Sequence, residues 1–307
     1  KYMMKLSNDS FGISLVIGAT LLLSFRSILV KLAYIEEVSV MSLFYYRFLF
    51  TVPLLLAFSF YKKRKLLFTA IASKKTFIGC AVAGLFGYYL ATLLDFHSLK
   101  LIDANINRLI VYTFPVYVLL LNSIIEKRLP KYKDIIVFAS VQICLFFVLG
   151  GIDLSLTFTD KLGALLALLA AISYSIYIVI NQKVGKKIGS VLFTTYAVLF
   201  SFVFINIHFF SVFKSENTLA FLSDKAFFII VVMAIFCTFL PLLLISEGIK
   251  RIGAARFSII NASGPVVTIL FAFVFLSETM TIQQMIGAVS VVGILYISEK
   301  SKIKAST

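Results

Sequence analysis

Tryptophan is absent from this 307-residue chain, histidine occurs twice, cysteine three times and proline five times. Cys80, Cys144 and Cys237 all lie within apolar runs, far from His97 and His208. With no CxxC and no His/Cys cluster, neither a zinc site nor a disulfide framework is expected. The cysteines read as small core residues. Charge is scarce as well: 14% of residues are charged and only 14 are acidic. There is no Walker A loop, no GxSxG and no HExxH. The chain by itself therefore has no motif for ATP-driven work or for the common hydrolases, and no enzyme activity or cofactor is expected. No connection between apolar runs is long enough to hold a soluble domain.

What is present is apolar. Hydrophobic residues make up 61% of the chain and its mean hydropathy is +1.02. Soluble domains run near 45–50% apolar and 25% charged. A soluble fold could not cover this much apolar surface, so the bilayer is the expected solvent and partner. Spanning helices need about 20 mostly apolar residues. Ten runs qualify or come close: 11–31, 41–60, 76–95, 103–125, 135–151, 162–181, 191–213, 226–246, 253–276 and 284–298. The first run lacks an A-x-A cleavage pattern after it and is expected to stay as a helix.

The net charge of +15 would suggest nucleic acid on a soluble protein. Here the basic residues fall in short connections, so topology explains them better and no nucleic-acid partner is expected. With a cytoplasmic amino terminus, twenty Lys and Arg fall on the inside and five on the outside. That asymmetry predicts a multi-pass protein of the cytoplasmic membrane with both termini cytoplasmic.

The chain also repeats itself. With Pro115 placed over Pro265, Lys100 meets Lys250 and Ala104 meets Ala254, and each stretch closes on a glutamate, Glu126 or Glu278. The first spans align too, pairing Gly12 with Gly163 and Ser24 with Ser175. Five helices are an odd number, so the second copy enters the membrane from the opposite side. The expected fold is all-α: ten transmembrane helices as two inverted five-helix repeats, residues 1–151 and 160–298, followed by a cytoplasmic tail at 299–307. Repeats of this kind hold a transported solute at their interface.

The second span carries "YYRFLFTVPLLL", the fourth ends in a "P…E" pattern, the ninth reads "GAARFSIINASGPVVTILFAFVFLSE", and Gly287 opens the tenth. In these features, over nearly its whole length, the chain resembles the EamA-type branch of the drug/metabolite transporter superfamily. The resemblance implies ten helices, a central cavity, and export or exchange of small organic metabolites. Substrates in that family include amino acids, sugars, nucleotide derivatives, amines and toxic compounds. The first-half motif departs from the family's small-residue run by carrying Asn105, Asn107 and Arg108.

Four arginines lie in spans: Arg26, Arg47, Arg108 and Arg256. An ion at the bilayer centre is costly, so each must snorkel to the headgroups or face a cavity. Arg47 and Arg256 read as interfacial. Arg26 and Arg108 are candidates for a cationic vestibule, since a guanidinium offers a forked donor set to a carboxylate or phosphate. On the fourth span Asn105, Arg108, Tyr112 and Pro115 share one helical stripe; on the ninth, Ser258, Asn261 and Pro265 do. Each proline is expected to break its helix and turn backbone toward the centre. Together these residues form a candidate substrate site in two halves. Tyr45, Tyr46, Tyr88, Tyr89, Tyr174 and Tyr177 are candidates to line it. Asn181 and His208 are expected at the interfaces, although His208, Asp95 or His97 could serve proton coupling.

The expected function is a secondary transporter moving a small polar metabolite by alternating access. An amino acid, a carboxylate or a phosphorylated or nucleotide-like compound would fit, with proton or counter-substrate coupling open. The alternatives are a membrane-embedded flippase or enzyme acting on a phosphorylated lipid, and a passive channel.

Overall fold

The computed structural model describes residues 2–67, 69–71, 73–99, 101–102, 107, 110–127, 129–130, 132–148, 158–212, 223–276 and 282–304. Asn105, Arg108 and Glu278 lie outside the described residues. All regular structure among the described residues is helical. The reason is that lipid offers no partner to a backbone N–H or C=O, and a helix satisfies both within itself.

In chain order the helices are α1 (Tyr2–Ile35), α2 (Val40–Leu67), α3 (Lys74–Ala83), α4 (Ala91–Leu99), α5 (Phe114–Glu126), α6 (Tyr132–Val148), α7 (Phe158–Ile188), α8 (Ser190–Val212), α9 (Asp224–Ala234), α10 (Leu240–Ile252), α11 (Ala254–Asn261), α12 (Gly264–Leu276) and α13 (Ile282–Lys304). Two pairs are continuous through a wider π turn. Gly84–Leu90 joins α3 to α4, and Ile235–Phe239 joins α9 to α10. Six stretches are long and apolar enough to cross a membrane: Asp9–Arg26, Met41–Leu67, Lys74–Asp95, Lys161–Ile188, Ser190–Ser211 and Asp224–Ile252. Two of the other expected spans include the shorter apolar stretches Phe114–Glu126 and Met285–Ile294.

Close approach explains the glycines at the helix contacts. A Cβ on Gly84 would lie 2.3 Å from the Ala197 carbonyl oxygen, and one on Gly87 would lie 2.4 Å from the Tyr177 ring. At Gly189 and Gly253, φ values of 91° and 84° let the chain reverse between consecutive helices with a single residue.

The main core draws on both halves of the chain, with Val16, Phe48, Leu55 and Phe114 packed among Tyr177, Phe193, Ile245 and Phe257. The outside of the bundle is apolar too: Ile207, Phe228, Val274 and Val289 are all well exposed. Such a surface suits lipid and not water. Cys80 and Cys237 are buried free thiols and Cys144 is half-buried.

The two ends of α1 mark the two ends of the bundle. At its start Asp9 meets Arg256 at 3.2 Å, and the Arg251 guanidinium sits 4.8 Å from the Phe11 ring centre. This is the amino end of the bundle. At the opposite end, Glu36 accepts from Ser223 at 3.0 Å and faces Lys225 Nζ at 3.3 Å. Those two contacts hold the Glu36 carboxyl below the ordinary carboxylate range.

Candidate functional site

The two proline motifs fold alike. One helical stretch stops at Val111, the chain turns at Tyr112–Thr113, and α5 starts at Phe114 with Pro115 second. In the other half α11 stops at Asn261, the chain turns at Ala262–Ser263, and α12 starts at Gly264 with Pro265 second. Proline near a helix start loses no helical hydrogen bond, which is why the restart falls there.

Each restart is clasped from the other half of the chain. Ser175 Oγ on α7 donates to the Phe114 carbonyl at 2.9 Å, and Ser24 Oγ on α1 donates to the Gly264 carbonyl at 3.1 Å. Both serines also bond their own helix, to Ala171 and Thr20. The glycines that lead these helices match as well. A Cβ on Gly12 would lie 2.7 Å from Ile252, and one on Gly163 would lie 2.6 Å from Ile102.

The expected stripe residues are placed as follows. Thr20 donates to Asn261 Oδ1 at 3.1 Å, which ties α11 to α1. Ser258 is fully buried and bonds back to Ala254 at 2.9 Å. The Tyr112 hydroxyl abuts Gly264, so the two breaks touch directly. Asn107, off the stripe, is buried and donates to Ser98 at 3.0 Å, and Ser98 donates to the Gly163 carbonyl. The start of the fourth span is thereby docked on α7.

A chain of polar contacts runs from the bundle centre to the amino end. Tyr88, in the first π turn, shares a hydrogen bond with Tyr177. Asn181 donates to the Tyr177 hydroxyl at 3.2 Å, and Ser246 donates to Asn181 Oδ1 at 3.0 Å. Ser246 also reaches the Ser190 carbonyl, while the Ser190 hydroxyl donates to Glu247. Glu247 in turn pairs with Arg251 at 2.8 Å and Lys250 at 3.6 Å. The interfacial placement expected for Asn181 is therefore corrected: Asn181 is fully buried and crosslinks α7 to α10. His208 packs edge-on against Tyr89 at 5.9 Å.

The arginines divide. Arg256 is at the amino end, paired with Asp9. Arg47 is not interfacial. It is only 6% exposed within the bundle and its Nε has no hydrogen-bond partner among the described residues. The expected snorkelling is corrected because the helix turns this side chain inward, onto Phe44 and Phe48, at 5.5 and 5.1 Å from their ring centres. Two cation–π contacts contribute about 1–4 kcal/mol together. Burying an ion costs several kcal/mol, so the rings alone do not fully compensate. Arg26, half-buried on α1, lies within electrostatic reach of Arg47, Tyr174 and Cys237. Among the described residues no three His, Cys, Asp or Glu are grouped to hold a metal ion.

Ser246 and Ser190 carry no sequence pattern that marks them, and Arg47 and Asn181 lie deeper than their positions near run ends suggest. The available signal was a charge or amide inside a run otherwise free of polar groups.

Comparison with known proteins accords with this architecture. The model of the EamA-like transporter family matches residues 10–150 and again residues 161–298. The chain is 28% identical over 312 residues to the uncharacterized transporter YcbK of Bacillus subtilis (strain 168), covering 98% of this chain and 96% of that protein. It is 28% identical over 229 residues to the uncharacterized transporter YyaM of the same organism, covering 73% of this chain and 74% of the relative. One solved crystal structure superposes with a TM-score of 0.77 at 16% identity, covering 94% of this chain and 96% of that one, which establishes likeness of fold. With both halves matched by one transporter model, the chain belongs to the EamA-like transporter family, within the drug/metabolite transporter superfamily.

Proposed function

We propose that this transporter is a secondary carrier that moves a small polar organic metabolite across the cytoplasmic membrane by alternating access between two inverted repeats, residues 1–151 and 160–298. The reciprocal clasp carries this reading. Ser24 holds the break at Gly264 and Ser175 holds the break at Phe114, so each half grips the other at the bundle centre. A rocking motion of one half against the other would act on those contacts, and a solute between them would be exposed to each side in turn. The two family matches support the division into halves. The amino end, with Arg251, Arg256 and Lys250, is the cytoplasmic end in this reading, which agrees with the distribution of basic residues.

The substrate carries an acidic group: an amino acid, a carboxylate or a phosphorylated compound. Arg108, Asn105 and Tyr112 form one half of the proposed site, and Ser258 and Asn261 the other, between the breaks at Pro115 and Pro265, with Arg26 as a further substrate-binding residue. Reconstituted protein is expected to show saturable uptake and counterflow of a labelled anionic metabolite. Turnover of phospholipid headgroups with no solute flux would overturn the carrier reading in favour of a flippase. Non-saturable flux without counterflow would leave a channel.

A further inference from the structure

Arg47 lies seven residues into α2 and Arg26 nine residues before the end of α1, so both are on the order of 10 Å inside the bundle from the end that holds Glu36. Neither is matched to an acid. Their chain neighbours Phe25 and Tyr46 pack in one cluster with Cys237, and no Asp or Glu pairs with either arginine among the described residues. The fold does not require charge at these depths. In the register that places Gly12 on Gly163 and Ser24 on Ser175, Arg26 falls on Tyr177 and Arg47 on the Ala197–Val198 pair. Those second-half positions are neutral and fully packed. One half thus presents two guanidiniums where the other presents a phenol and aliphatic side chains.

The surroundings suit a ligand more than a permanent ion pair. Arg47 rests on the faces of Phe44 and Phe48, which fix its plane and leave its Nε unused. Cys237, in the second π turn, is buried in the cluster against which Phe25 and Tyr46, the chain neighbours of the two arginines, pack. Such turns widen a helix locally and recur at functional sites. The Tyr174 ring stacks on Tyr177 at 5.7 Å.

We infer that Arg26 and Arg47 together form an anion-binding site inside the bundle for a small doubly charged anion, a dicarboxylate or a phosphate monoester. Two guanidiniums with no counter-ion among the described residues match a charge of minus two, and the planar fork of each matches carboxylate or phosphate oxygens. The tyrosine-rich side of the core faces the uncharged remainder of the molecule. This assignment rests on the transport reading, since a buried site is loaded only when the halves part, and it names the substrate class of that carrier.

The test uses the purified full-length chain in neutral detergent at fixed ionic strength. Thermal unfolding is followed against inorganic phosphate, malonate and putrescine. Phosphate and malonate are expected to raise Tm saturably and putrescine to leave it unchanged. Arg47→Gln and Arg26→Gln should each weaken the apparent affinity for malonate at least tenfold, with Arg47→Lys intermediate. Without ligand, Arg47→Gln should melt no lower than wild type, because it removes an uncompensated buried charge. A packing role for Arg47 would instead lower that Tm and leave anion affinity intact, which overturns the proposal. If Arg47→Gln does not fold, the half-buried Arg26→Gln decides by the same tenfold criterion. Absence of any anion effect on wild type overturns it too, as does stabilisation by phosphatidylglycerol alone. Proteoliposomes separate this site from the transport reading. Anion binding that is lost in the variants but accompanied by no solute flux keeps the site and removes the carrier. Equal transport of a neutral or cationic solute by wild type and Arg47→Gln keeps the carrier and removes the site.

Discussion

A guanidinium within a membrane span is informative only when the way it faces is known. Arg256 and Arg47 both sit near the start of an apolar helix, yet one pairs with Asp9 at the amino end and the other is buried on two phenyl rings. The sequence could not separate them. The residues around Arg47, "FYYRFLF", are apolar or aromatic on every face, so periodicity gives no helix phase. Asn181 differs from its sequence expectation for a related reason: it stands near the polar end of its run, but α7 continues to Ile188 and keeps it inside. Arg108 was singled out by its stripe with Asn105 and Tyr112, and its proposed role is open to a direct test. Arg108→Gln should express and fold normally and raise the apparent Kd for an anionic substrate at least tenfold, about 1.4 kcal/mol for one lost charged contact. Binding assays on the folded variant check this, and unchanged affinity removes Arg108 from the site.

Among the elements, the two π turns are the feature that the composition least foretold. Gly84–Leu90 and Ile235–Phe239 occupy equivalent places in the two halves, in runs that read as uninterrupted helix. A π turn has no residue preference strong enough to show in a sequence; it is retained where packing favours it. Here Gly84 and Gly87 let the turn press on α8 and α7. Gly84→Ala would drive its Cβ into the Ala197 carbonyl, a backbone atom that cannot swing aside. It is expected to destabilise by about 1–3 kcal/mol or more, seen as a clear drop in Tm. The serine clasps are weaker. Ser175→Ala removes one hydrogen bond to Phe114 and should cost about 0.5–1 kcal/mol, less than Gly84→Ala. If the clasp works in transport, Ser175→Ala should alter the uptake rate more than its small Tm change suggests. A proportionate loss of both would make Ser175 structural only. The paired serines and glycines were legible beforehand, because small residues at matched positions mark close helix contacts.

For the whole molecule, orientation is the prediction that most depends on charge. Lys63 is exposed at the end of α2 nearer the amino end, and Glu37 is exposed at the opposite end. In a background with Cys80, Cys144 and Cys237 replaced, a Lys63→Cys variant should resist an impermeant maleimide in intact cells and react once they are opened. Glu37→Cys should react in intact cells. The reverse pattern would invert the topology and the sidedness of the proposed site.

Membrane residence, the helical class and the internal repeat were determined by the sequence alone. Each follows from quantities summed along the chain: apolar length sets what can span, unpaired backbone forces helix, and recurring residues mark the halves. Which polar groups meet was decided only in three dimensions. Ser24 reaches Gly264 across 240 residues of sequence, and Thr20 reaches Asn261 across 241. Hydropathy cannot foresee such pairs, because in a helix that is apolar on all sides the rotation about its axis is set by neighbouring helices. That rotation turned Arg47 and Asn181 inward, and with them the chemistry of the bundle centre.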